Sequence, residues 1–234
     1  MATRLASALL NILYPERCVA CGAFGLPLCE PCEAGMAPCS QGGRCPNCSG
    51  RWEDGGNCPR CFAWDALDGA IAAFDLEGSA RRVVHGLKYR YVEALAGVMS
   101  KSMAKLPPAA SFDIAYPVPL HRSRQRRRGF NQAALILNRI GWDGGPGRLE
   151  RIRKTGTQVG MRHAERRANV RGAFRYTGPA LDGLNVILVD DVVTTGATAN
   201  ECARVLKDHG ARTVRIAAFA RANYDHTVDA PILD

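Results

Sequence analysis

The sequence predicts an α/β protein, a parallel sheet flanked by helices, with a metal-stapled segment at its N-terminus. Three observations predict it. The run Leu184-Asn185-Val186-Ile187-Leu188-Val189 is short, apolar and rich in β-branched residues. It reads as a strand buried on both faces. Ala199, Cys202, Ala203 and Leu206 then keep helical spacing until Gly210, and Thr213 to Ala220 form the next strand, which completes one βαβ unit. Finally, nine of the ten cysteines lie within residues 18–61, in a stretch with little apolar periodicity.

Taken in order, the chain opens with Leu5 to Leu13, a short apolar run interrupted by Asn11 and followed by Pro15-Glu16-Arg17. No small-residue cleavage pattern follows, so the run reads as an amphipathic helix rather than a signal peptide. Four C-x-x-C knuckles come next: Cys18/Cys21, Cys29/Cys32, Cys45/Cys48 and Cys58/Cys61. Gly and Pro crowd this stretch, so metal has to supply its folding energy. Taking the knuckles pairwise gives two structural zinc sites of four thiolates each; a crossed pairing satisfies the spacing too. Cys39 and Cys202 are left over as buried thiols. Trp52, Phe62 and Trp64 flank the knuckles and suit either base stacking or core packing. Residues 1–66 are expected to form the helix and ribbon part, and residues 67–234 the α/β part.

Asp68 to Phe74 reads as the first strand of that second part. Ser79 is placed to cap a helix toward Leu87, and His85-Gly86-Leu87-Lys88-Tyr89-Arg90 follows. Leu95, Val98, Met99 and Met103 mark a second helix, stopped by Pro107-Pro108. Asp113 to Leu120 is a strand and its exit. A basic segment then leads through Asn131 and Gln132 into a helix ending near Ile140. Trp142 to Gly147 is a linker. Residues 148–171 show no period and read as a mobile loop, a candidate lid. Val170 to Tyr176 is a short strand, and Pro179 to Gly183 turns into the central one.

The formal charge is +9, and it is localised. Residues 121–128 carry five Arg and no acid, and residues 148–171 carry eight Lys/Arg against two Glu. These two segments exceed the whole net charge and point to a polyanionic partner. The apolar fraction is 47%, and no run approaches the ~20 residues of a membrane span. With the thiols spent on metal, the expected compartment is the cytoplasm.

The chemistry gathers after the central strand. Asp190 and Asp191 stand at its carboxyl end, where open α/β sheets bind ligands. Val192, Val193, Thr194, Thr195, Gly196, Ala197 and Thr198 then bring free amides, hydroxyls and one flexible residue to a helix N-terminus, an anion site. The adjacent carboxylates suit a ribose diol or Mg²⁺. A P-loop would need a Gly-Lys pair, which the chain lacks. The stretch resembles the 5-phosphoribosyl-1-pyrophosphate (PRPP) motif of the type I phosphoribosyltransferases, which implies that fold and PRPP with Mg²⁺ as ligand.

Further motifs extend the likeness: Leu87-Lys88-Tyr89-Arg90, Pro117-Val118-Pro119-Leu120, Arg127-Arg128-Gly129-Phe130-Asn131-Gln132 and Arg166-Arg167-Ala168-Asn169-Val170-Arg171-Gly172-Ala173-Phe174. In this order, after a double zinc ribbon, they resemble the ComF family of competence proteins. That resemblance implies a role in handling incoming single-stranded DNA together with other competence proteins. It marks Lys88, with Asp190 and Asp191, as catalytic-site residues. It marks Lys154, Gln158, Arg166 and Asn169 as lid residues, while the charge of Arg127 and Arg128 suits pyrophosphate or a nucleic-acid backbone. Asn131 and Gln132 are expected to fix their loop. Three readings follow: a phosphoribosyl transferase whose acceptor is not legible, a non-catalytic DNA-handling protein on the same fold, and a zinc-ribbon adaptor.

Overall fold

The computed structural model describes residues 16–39, 42–52, 58–59, 61–90, 92–106, 112–155 and 168–222. The N-terminal helix expected over 5–13 lies outside them. Four strands, β1 (Gly69–Asp75), β2 (Ile114–Pro117), β5 (Asn185–Val193) and β6 (Thr213–Arg221), form a sheet in the order β1-β6-β5-β2. Every pairing in it is parallel, so all four carboxyl ends lie along one edge.

The central strands are buried on both faces, and their side chains alternate between two cores. Val186 and Leu188 of β5, with Val214, Ile216 and Ala218 of β6, face one core. Ile187, Val189, Ala217 and Phe219 face the other. Such continuous apolar runs are what a doubly covered parallel sheet requires. One cover is the helix α6 (Ala197–Lys207), through Ala199, Cys202, Ala203 and Leu206. It is joined there by the antiparallel pair β3 (Arg148–Arg151) and β4 (Phe174–Thr177). The other cover is α2 (Gly78–Tyr89), α3 (Ala94–Met103) and α5 (Gln132–Ile140), through Val83, Leu87, Leu95, Met99, Met103 and Ile136. A short helix α1 (Glu30–Ala34) lies in the first ribbon.

Three local expectations change. Ser79 lies inside α2, whose N-cap is Glu77. The basic segment is helical: α4 spans Arg122–Arg128, with His121 Nδ1 accepting from the Ser123 amide at 3.2 Å and Gly129 closing it at φ 84°. The loop expected from residue 148 begins as strand β3, and Ile152 N–H still donates to Ala173 at 2.8 Å.

The two ribbons dock differently. The first packs Cys18, Leu28 and Met36 into the α2/α3 core. Gly86 permits this approach, because a Cβ there would stand 2.7 Å from Leu95 Cδ1 and 3.2 Å from Val19 Cγ1. The second ribbon meets the sheet edge. Asp75, buried at the end of β1, accepts from Arg44 at 2.7 and 2.8 Å and from Arg51 at 2.7 and 3.2 Å. Among the described residues no helix is long and apolar enough to cross a membrane.

Candidate phosphate site and metal centres

At the carboxyl end of β5 the twin acids meet different surroundings. Asp191 is 2% exposed, and its Oδ2 lies 2.9 Å from Lys88 Nζ at the end of α2. Burial opposes ionisation of Asp191, but the Lys88 charge, hydrogen bonds from Asp190 and Lys88, and the Arg128 charge together outweigh it and hold the carboxyl below its usual range. Burial also opposes the Lys88 ammonium, and the charges of Asp191 and then Asp190 more than offset it. Asp190 is partly buried, and its Oδ1 accepts from the Asp191 amide at 2.8 Å. Burial and the neighbouring Asp191 charge push its carboxyl well above the usual range. The two neighbouring carboxyls are thus pushed in opposite directions, Asp190 up and Asp191 down.

The turn that follows is held from behind. Val193 O accepts from Ala222 N at 2.9 Å and from Arg221 Nη1 at 3.2 Å. Arg221 Nη1 also donates to Thr194 O. Trp64 Nε1 donates to Thr195 O at 2.9 Å. Three successive carbonyls are thus occupied. Among the described residues the amides of Thr194, Thr195, Gly196 and Thr198 find no acceptor. Carbonyls tied back and amides unspent at a helix start are the requirements of an anion cradle. Gly196 makes the turn possible at φ 77°, and a Cβ there would meet the Trp64 ring at 2.5 Å. Thr195 uses its hydroxyl internally, accepting from Ala197 N at 3.3 Å, whereas Thr194 and Thr198 stay partly exposed.

The remaining expected residues divide. Arg128 donates to Gln132 Oε1 at 2.7 Å, lies 5.9 Å from the Tyr89 ring, and its charge bears on both Lys88 and Asp191. Arg127 and Lys154 are exposed. Gln158 and Arg166 lie outside the described residues. Asn131 caps α5 through the Ala133 amide at 3.0 Å and donates to Val118 O at 3.1 Å, so it fixes the loop as expected. The carbonyl of Asn169 accepts from Arg153 at 3.1 Å.

Arg221 and Arg151 carried no signal in the sequence, and Trp64, read there only as a stacking or core residue beside the knuckles, turns out to underlie the turn. Arg151 is 8% exposed and bonds Thr155 Oγ1, and among the described residues it has no carboxylate within ion-pair distance. Burial lowers its pKa, and the nearby charge of Asp190 works the other way. The sequence placed Arg151 in an aperiodic basic stretch, where nothing distinguished it from its exposed neighbours.

The knuckles pair without crossing. The sulfurs of Cys18, Cys21, Cys29 and Cys32 lie within 4.8 Å of one another, as do those of Cys45, Cys48, Cys58 and Cys61. Individual separations are 3.6 Å for Cys21–Cys29, 3.6 Å for Cys45–Cys61 and 3.7 Å for Cys48–Cys58. A tetrahedron of thiolates about 2.3 Å from one zinc has edges of roughly 3.8 Å, so both clusters fit the ion. Each cluster supplies four sulfurs and leaves no open position, the arrangement of a structural site.

Residues 9–62 match the double zinc ribbon domain and residues 148–229 the phosphoribosyl transferase domain. The chain is 30% identical over 219 residues to the DNA utilization protein YhgH of Salmonella typhimurium, covering 88% of this chain and 86% of that one. It is 37% identical over 124 residues to competence protein F of Haemophilus influenzae, covering 50% and 52%. It is 27% identical over 146 residues to competence protein ComFC of Bacillus subtilis, covering 62% and 55%. Among solved structures, a phosphoribosylpyrophosphate synthetase from Mycobacterium smegmatis aligns with 54% of this chain and 33% of its own at 17% identity and a TM-score of 0.31.

Proposed function

The chain belongs to the ComF family, and from that premise we propose that it binds PRPP with Mg²⁺ at the carboxyl edge of its sheet and acts in DNA uptake. Its two parts are 1–66 and 67–234. The observation that carries the reading is the turn after Asp191, whose carbonyls at Val193, Thr194 and Thr195 are all bound from behind. Its free amides take the 5′-phosphate of the sugar, with the hydroxyls of Thr194 and Thr198 beside them.

The ribose diol then falls to Asp190 and Asp191, which accept from its hydroxyls. The same carboxylates are the hard oxygen ligands present for the Mg²⁺ that accompanies PRPP, which when bound neutralises pyrophosphate charge. Lys88 leaves Asp191 for the pyrophosphate. As the bond at the anomeric carbon breaks, negative charge grows on the leaving group, and Lys88 and Arg128 are placed to stabilise it. Transfer to an acceptor follows by positioning rather than by covalent catalysis.

A second reading has its own support. Arg122, Arg148 and Arg175 are 80%, 79% and 57% exposed around a single acid, Glu150. This basic surface fits a nucleic-acid backbone whether or not the sugar-phosphate site turns over.

The test is a thermal shift with Mg²⁺ and PRPP. At a ligand concentration a hundredfold above Kd, about 2.7 kcal/mol of stabilisation is expected for the wild type. Asp191→Asn should abolish it, and an unmoved wild-type transition would reject the PRPP reading.

A further inference from the structure

The phosphate turn rests on a residue that belongs to the ribbon. Trp64 follows Cys61 by three positions, and its amide donates to Cys61 O at 3.0 Å. Its ring packs against the second cluster, which among described residues consists of Cys45, Cys48 and Cys58 with Trp52, Cys61 and Trp64. The other side of the ring faces the turn: Nε1 holds Thr195 O at 2.9 Å, and a Cβ on Gly196 would stand 2.5 Å from the indole. One side chain therefore touches both a metal centre and a phosphate cradle.

Two neighbouring contacts reinforce the join. Asn200, in the first turns of α6, accepts through Oδ1 from the amides of Asp65, Ala66 and Leu67 at 3.1, 3.1 and 3.0 Å. Its Nδ2 donates to Asp65 at 2.6 Å. Arg221, fully buried, holds the carbonyls of Val193 and Thr194, and its strand partner is Asp75, which Arg44 and Arg51 of the ribbon grip. Among the described residues the first cluster has no such link. Cys18 and its neighbours pack against α2 and α3, on the other side of the sheet from α6.

We propose that Trp64 is a positioning residue through which the second zinc ribbon sets the phosphate affinity of the 194–198 turn. Zinc at Cys45, Cys48, Cys58 and Cys61 and a sugar phosphate in the turn then bind cooperatively, while the first ribbon stays outside the coupling. The physical reason is preorganisation. The second ribbon's small core cannot hold Trp64 without its metal. A released indole leaves the Thr195 carbonyl unpaired and the turn without a floor, so the ligand must order the cradle as it binds. Coupling of this kind is reciprocal: whatever zinc does for the phosphate, the phosphate does for zinc.

The inference rests on the PRPP reading, and the experiment separates the two. Calorimetry on the zinc-loaded chain first measures Mg²⁺-PRPP binding. No binding by the wild type overturns both. Trp64→Phe keeps most of the ring and removes the Nε1–H donor. It should weaken binding about tenfold, the usual effect of stranding one buried carbonyl, with zinc content and far-UV dichroism unchanged. Site-resolved alkylation under a mild chelator then reads the reverse effect. Mg²⁺-PRPP should slow labelling of Cys45, Cys48, Cys58 and Cys61 several-fold and leave Cys18, Cys21, Cys29 and Cys32 unaffected, and Trp64→Phe should shrink that protection. Wild-type affinity in Trp64→Phe, or equal protection of both clusters, would overturn the coupling and leave the PRPP reading standing.

Discussion

Asp190 and Asp191 are adjacent in sequence and opposite in electrostatics. Lys88 compensates Asp191, whereas Asp190 is raised by burial and by its neighbour. A carboxyl held high in the folded protein stabilises it below the unfolded pKa and loses that contribution as pH rises through the folded value. Asp191 has the reverse sign, its contribution being lost as pH falls through its depressed value. Mg²⁺-PRPP needs Asp190 ionised, so binding should release a proton and tighten with pH until Asp190 ionises unaided. Calorimetry in two buffers of different ionisation enthalpy checks this; identical enthalpies in both buffers at every pH where the protein is folded would contradict it. Asp190→Asn should leave the empty protein as stable or more stable at neutral pH and remove the response to Mg²⁺-PRPP. The sequence singled out both acids and, by resemblance, Lys88. It did not single out Arg151 or Arg221, and it left Trp64 between base stacking and core packing, because an Arg in a basic stretch and a Trp beside a knuckle look alike whether exposed or buried.

At the scale of elements, the stapled ribbon and the sheet are joined by a charge contact that no periodicity announces. Asp75 is 1% exposed and carries both Arg44 and Arg51. Removing one partner of such a set strands the others, so Asp75→Asn should destabilise the chain by about 3–5 kcal/mol, measured by urea unfolding. A cost below about 1 kcal/mol, the range of exposed pairs, would show that the ribbon docks by other contacts. Elements whose pattern was apolar were legible: β1, α3, β2, α5, β5 and β6 all fall where the sequence puts them, within a few residues. Those missed have a common cause. Helix α4 reads Arg-Ser-Arg-Gln-Arg-Arg-Arg and presents no apolar stripe. Strand β3 turns Arg151 inward where an apolar residue would have marked the alternation.

For the whole molecule, basic surface and phosphate edge belong to one body of parallel sheet and covering helices. If the surface around Arg122, Arg148 and Arg175 binds single-stranded DNA, affinity should fall steeply with salt. Neutralising those three should cut the slope of log K against log salt by about 2, at roughly 0.7 per phosphate. Retention of the full slope, in a filter-binding titration, would move the DNA elsewhere on the chain. What the sequence determined by itself was whatever local pattern encodes: a buried parallel sheet from apolar runs, two metal centres from cysteine spacing, and a phosphate turn from acids, threonines and glycine in a row. Only the tertiary structure decided which knuckles share a metal, which acid takes Lys88, and that an indole from the ribbon underlies the turn. These are meetings of residues as far apart as Trp64 and Thr195. Chain folding creates such proximity, and no spacing along the chain records it.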